Sequence, residues 1–271
     1  GEAYFWQKNY TDSLKELLKA EELYPEDHLL QNDLGLVYRA KKSYEKAIEA
    51  DADYIDAYLS LGALYSFVGE TDRALETYRR TVEKDSKNAI AYYRMAEILL
   101  NREQPVEAAG LLEIAIDLNP RYMDALILMG DIYLDNRELE EAMAYYERAR
   151  ETDPTNSRPY KGIGKVYYYE NRFEDSIWAY EKSLTLEPDQ FMVYYSLGQV
   201  YYQLGDRRKA IDYYERSASL SPENHLAYYQ MGILKMDEGR TLDAIEDFKR
   251  AIASYPEYVD GLFVLGLAYN Q

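Results

Sequence analysis

Three sets of residues in this 271-residue chain have types and spacings that bear on chemistry. The first is Gly162-Ile163-Gly164-Lys165, two glycines leading into a lysine, as in loops whose backbone N–H groups cradle a phosphate. Such a loop also needs a glycine five residues before Gly164, where Pro159 stands. It needs a Ser or Thr after the lysine as well, where Val166 stands. The pattern of a nucleotide site is not met. The second set is the two histidines, His28 and His225, which lie far apart at the openings of two separate repeated segments and form no metal pair. The third is the carboxylates, in stretches such as "ELEE" that pair with nearby Lys or Arg on helix surfaces. Nothing in their register opposes two of them across a cleft, so no acid–base dyad is assigned. With no cysteine there is no thiolate zinc site, disulfide frame or cysteine nucleophile. The expectation is a chain without catalytic residues, metal or cofactor.

Composition narrows the partners. With 49 acidic and 31 basic residues the formal charge is −18, which repels phosphate backbones and anionic lipid surfaces. Nucleic acid is excluded on that ground. No apolar run reaches the roughly 18 residues of a membrane helix, so direct membrane insertion is excluded too. Apolar residues at 47% and charged residues at 30% fit a packed, soluble structure. The chain opens "GEAYFWQKNY", with no initiator Met and no basic-then-apolar segment. A cytoplasmic protein and an exported one whose signal was trimmed both fit.

The elements that position these residues repeat. Gly62, Gly130, Gly164, Gly198, Gly232 and Gly266 fall on a 34-residue comb, with Ala96 at the remaining tooth. Tyrosine usually follows three residues later, at Tyr65, Tyr133, Tyr167, Tyr201 and Tyr269; Leu99 and Lys235 are the departures. Twelve residues after each tooth comes a small residue (Ala74, Ala108, Ala142, Ser176, Ala210, Ala244). Four further on comes a large one (Tyr78, Leu112, Tyr146, Tyr180, Tyr214, Phe248). Spacings of three and four put these residues on one helical face, so each unit holds two amphipathic helices, drawn close where the tooth is small. Pro120, Pro154, Pro188, Pro222 and Pro256 close successive units. The comb and its second-helix contacts account for most of the 31 tyrosines.

Full units run over 55–88, 89–122, 123–156, 157–190, 191–224 and 225–258, with partial units at 1–27 and 259–271. The unit at 28–54 is short by seven residues between Ala50 and Asp51. Losing two helical turns would uncover its neighbours, which favours residues missing from the chain over a shortened helix. The ends, at Gly1 and within "GLFVLGLAYNQ", lack a polar cap, so the chain reads as a piece of a longer array that is open to self-association through its terminal units.

These motifs resemble the tetratricopeptide repeat family over essentially the whole chain. The resemblance implies an all-α, right-handed α-solenoid of stacked antiparallel helix pairs, in which the first helices line a concave surface. On that basis the second, fifth, ninth and twelfth residues of each unit point inward. They are Arg158, Lys161, Lys165 and Tyr168 in one unit, Met192, Tyr195, Gln199 and Tyr202 in the next, and Leu226, Tyr229, Ile233 and Met236 after that. The candidate peptide groove is therefore Arg158, Lys161, Lys165, Tyr168, Tyr195, Gln199, Tyr202, Tyr229 and Ile233. Its cations suit a carboxylate or acidic side chain, and its aromatic part suits apolar anchors. The alternative is that the cations only pair with Asp124 and Asp131 of the preceding unit. The family's clamp for chaperone C-terminal carboxylates uses asparagine at the ninth place, which here holds Glu97, Asp131, Lys165, Gln199 and Ile233 in turn. The implied function is a non-catalytic scaffold that binds a protein or peptide segment and assembles a larger complex. The competing function is the recruiting region of a multidomain enzyme whose catalytic domain lies outside these residues.

Overall fold

The computed structural model describes residues 40–270; the partial unit at 1–27, His28 and Gly35 lie outside them. Residues 40–50 form helix α1, and Ala50 runs on directly into the next turn, where the Asp51 N–H donates to the Ala47 carbonyl at 2.9 Å. There follow α2 (Ile55–Phe67), α3 (Thr71–Lys84), α4 (Ala89–Asn101), α5 (Pro105–Leu118), α6 (Met123–Asp135), α7 (Leu139–Thr152) and α8 (Ser157–Tyr169). After these come α9 (Phe173–Leu186), α10 (Phe191–Gln203), α11 (Arg207–Leu220), α12 (His225–Asp237), α13 (Thr241–Ser254) and α14 (Val259–Tyr269). Among the described residues all regular structure is helical. The chain divides into two compact units, with the division between Ala125 and Leu126.

The comb is a packing device. A Cβ built on Gly62 would lie 2.6 Å from the Tyr78 ring, on Gly164 2.7 Å from Tyr180, and on Gly198 2.5 Å from Tyr214. These rings are fully buried, so only a hydrogen at the tooth admits them. At Ala96 the residue sixteen places on is Leu112, smaller than tyrosine, and both are fully buried. The tooth and its partner thus vary together in size.

A second coupled pair explains a departure from the pattern. Three and fifteen residues past the tooth, Tyr133 stacks on Tyr145 (5.5 Å, 13°) and Tyr201 on Tyr213 (5.2 Å, 7°). In the α12–α13 pair the same two places hold Lys235 and Asp247, joined by a 2.6 Å ion pair whose side chains are almost wholly buried. Burial lifts the Asp247 carboxyl above its ordinary range, even against the pull of Lys235.

Each pair turns through one left-handed residue seven places after the tooth. Gly69, Gly205 and Gly239 take this place at φ 74–79°, and Glu103, Arg137 and Asn171 hold it at φ 59–66°. Between pairs, Pro120, Pro154, Pro188, Pro222 and Pro256 each stand two residues beyond the last helical residue, where no helical N–H is lost.

Candidate functional site

Helix α8 carries the cations, and its local sequence fixes how it presents them. Asn156 caps it, its side chain accepting from the Arg158 N–H at 3.0 Å. Pro159 falls in the first turn, where a missing N–H costs no helical bond. Gly162 and Gly164 then serve two different rings. A Cβ on Gly162 would meet Tyr146 of α7 at 2.5 Å, and one on Gly164 would meet Tyr180 of α9. The two-glycine motif lets α8 lie between two tyrosines. Hydroxyls add to the frame: Ser176 donates to the Gly164 carbonyl (2.7 Å) and Ser183 to the Ser157 carbonyl (3.1 Å), both buried.

The face left outward bears Arg158, Lys161, Lys165 and Tyr168, all half-buried. The Lys161 amine is held below the ordinary lysine range, first by burial and then by Lys165, with Arg158 adding to the effect and Asp131 and Glu187 opposing it. Among the described residues no carboxylate comes within 4.0 Å of Lys161 or Lys165. Those two acids also accept hydroxyl hydrogen bonds, Asp131 from Tyr146 at 2.6 Å and Glu187 from Ser157 at 2.7 Å. The equivalent face of α4 satisfies itself, with Glu97 accepting from Tyr93 and from Arg94, each at 2.7 Å.

The other predicted residues separate by depth. Tyr195 is only 7% exposed and tilts against Tyr214 at 5.4 Å, so it supports the face from beneath. Tyr202 is 41% exposed and Met192 46%, and they present apolar surface on α10. Gln199 between them is half-buried, and its amide has no hydrogen-bond partner among the described residues. Tyr168 packs edge-on to Tyr169 (5.5 Å). On α12, Tyr229 leans on Tyr258 (5.2 Å) and Ile233 packs on the cluster around Phe248, so both are partly covered. The Tyr214 hydroxyl is raised above its ordinary range first by burial and then by Tyr195, Tyr168 and Tyr202. His225 sits 5.0 Å from Tyr255 and 4.8 Å from Tyr258, a packing position. No group of three or more metal-ligating side chains is assembled among the described residues, and no described helix is long and apolar enough to cross a membrane.

Sequence reasoning found the stripe but not the second ring against Gly162, nor Asp247 as the partner of Lys235. The signal was present at one place only: Lys235 breaks the tyrosine pattern, whereas the place of Asp247 varies from unit to unit, holding Thr77, Leu111 and Ala179 in others.

The tetratricopeptide repeat profile matches residues 1–58, 93–157 and 229–271, and related repeat profiles match 43–76, 164–205 and 191–224. The chain belongs to the tetratricopeptide repeat family. Its fold is similar to that in the Cut9–Hcn1 hetero-tetramer of the APC/C, with a TM-score of 0.74 at 16% identity over 96% of this chain. The chain spans about half of that protein, 52% of its length. It is also similar to PilF of Pseudomonas aeruginosa (TM-score 0.67, 22% identity, 78% of this chain and 96% of that one). A third likeness is to YrrB, a TPR protein with an unusual peptide-binding site (TM-score 0.56, 24% identity, 69% of this chain and 96% of that one). At these identities the likeness shows the fold alone. No curated protein matches the chain.

Proposed function

We propose that this chain is a non-catalytic interaction scaffold whose α8–α10–α12 face takes a protein segment bearing an acidic group and holds it within a larger assembly. The observation that carries this reading is the pair Lys161 and Lys165, half-buried, mutually repelling and without a carboxylate at ion-pair distance in a protein of charge −18. Burying like charges together costs free energy, and an arriving carboxylate offsets that cost. The peptide-binding site named for YrrB lends the same kind of ligand to this fold.

Selection from a random peptide library displayed on phage tests the reading. The wild-type protein is expected to enrich segments containing Asp or Glu, and the Lys161→Glu/Lys165→Glu variant to lose them. If both proteins enrich the same segments, or neither enriches any, the proposal fails.

A further inference from the structure

Helix α5 buries Ala108, Leu112, Ala115 and Ile116 and packs that side against α4. Its opposite side is unlike that of the other second helices. Val106, Gly110, Ile114 and Leu118 follow one another at intervals of four, which makes them one continuous ridge, and all are exposed, Val106 by 81%. The matching row in each of the other five full units carries at least two charged residues, as in Asp72, Glu76, Arg80 and Lys84 of α3. Single exposed apolar side chains need no explanation, but a whole row of them marks a contact surface.

Gly110 sharpens this. A glycine inside a helix costs stability, and the comb glycines at Gly62, Gly164 and Gly198 offset that cost by admitting buried rings. Gly110 lies off the comb, and a Cβ built on it would meet nothing within 4 Å. It leaves a dip in the middle of an outward ridge, where another backbone can approach closely.

Charge selects the occupant. Alone among the second helices of the full units, α5 has no Lys or Arg. Glu107 flanks the ridge on one side and Glu113 and Asp117 on the other. Among the described residues none of these three carboxylates has an ion-pair partner. A second copy of α5 laid on the ridge would set carboxylates against carboxylates, and an anionic lipid surface would be repelled in the same way. We propose that the outer side of α5 docks an amphipathic helix of a partner protein, whose own apolar ridge is flanked on both sides by Lys or Arg. The two ridges pack into each other's grooves and cross at Gly110, and the cations meet Glu107, Glu113 and Asp117. This surface shares no residue with the α8–α10–α12 face and stands or falls independently of it.

The test reads fluorescence anisotropy of three fluorescein-labelled peptides with the full chain. The first is an amphipathic helix with Leu and Ala along one stripe and Lys on both flanks. The second carries Glu in place of every Lys, and the third has the first peptide's composition in an order that breaks the stripe. The first is expected to bind at least tenfold more tightly than either of the others. Gly110→Leu fills the dip without a clash inside its own fold, so it is expected to weaken that binding at least tenfold while its circular dichroism melt stays at or above wild type. Glu107→Lys/Glu113→Lys/Asp117→Lys is expected to turn the preference to the Glu-flanked peptide. If the first and third peptides bind alike, the attraction is only that of a protein of charge −18 for a cation, and the docking site is overturned. It is overturned equally if no peptide binds, if Gly110→Leu binds as tightly as wild type, or if the charge reversal leaves the preference unmoved.

Discussion

Removing the amine of Lys235 gives the sharpest measure of how this array tolerates a buried charge. In Lys235→Met, the Asp247 carboxylate loses its 2.6 Å partner while its side chain stays about 4% exposed. Arg250 attracts it more weakly, and Asp243 repels it. If it stays ionised, breaking such a pair costs about 3–5 kcal/mol. If it takes a proton at pH 7, about three pH units above an ordinary aspartate, the cost is about 1.4 kcal/mol per unit, or about 4 kcal/mol. Both routes give a loss near 4 kcal/mol. A carboxyl whose folded pKa is raised contributes stability below its unfolded value, near 3.9, and loses it as pH rises through the folded value. The deficit is therefore full at pH 7 and shrinks as pH falls toward about 4. Repeat arrays open piecewise, so the readout is hydrogen exchange of the α12 and α13 amides at pH 7 and pH 4.5. Lys235→Tyr/Asp247→Tyr, which copies the stacked Tyr201–Tyr213 pair, is expected to recover most of the loss. A deficit under about 1 kcal/mol, or one equal at both pH values, would refute the reasoning.

Two further outcomes follow from the packing. Gly164→Ala sets a methyl against the buried Tyr180 ring and is expected to destabilise by about 1–3 kcal/mol. Gly110→Ala in α5 meets nothing within 4 Å and is expected to stabilise by about 0.5–1 kcal/mol, so urea melts that shift both in one direction would count against the comb. Burial pushes the Tyr78 hydroxyl up to about 12 and raises Tyr146 and Tyr214 as well. Raised folded values give stability that is complete below about pH 10 and is lost as pH climbs through about 12, on the order of 2–3 kcal/mol from Tyr78 alone. Tyrosinate absorbance at 295 nm should therefore rise for these residues together with loss of the helical signal. Full tyrosine titration near pH 10 with helices intact would contradict this.

The fold was legible because its cause is local and repeated. A tooth at Gly130, a ring at Tyr146 and a turn between them recur until chance is excluded, and each spacing of three or four maps directly onto a helix face. The candidate site was legible only as a stripe. Sequence spacing placed Lys161 and Tyr195 on the same inner face, but depth depends on neighbours from other helices, and Tyr214 draws Tyr195 under the surface while Tyr202 stays open. The alternative partners of the cations were likewise a three-dimensional matter. Asp131 accepts from the Tyr146 hydroxyl, and no periodicity states that. Left-handed turns at Glu103 and Arg137 were hidden for a similar reason, since only Gly69, Gly205 and Gly239 announce the requirement in their residue type.

The central claim is that Lys161 belongs to an unfilled carboxylate site, and its own titration measures this most directly. Lysine side chains labelled with 13C at Cε report each amine separately by NMR. Lys161 in the free protein is expected to titrate below the exposed lysines, because burial and Lys165 both disfavour its charge. Saturation with a Glu-containing peptide selected on the wild-type protein is expected to move that midpoint upward, as the carboxylate restores the charged form. A Lys161 that titrates with the exposed lysines, or one whose midpoint the peptide leaves unmoved, would contradict it.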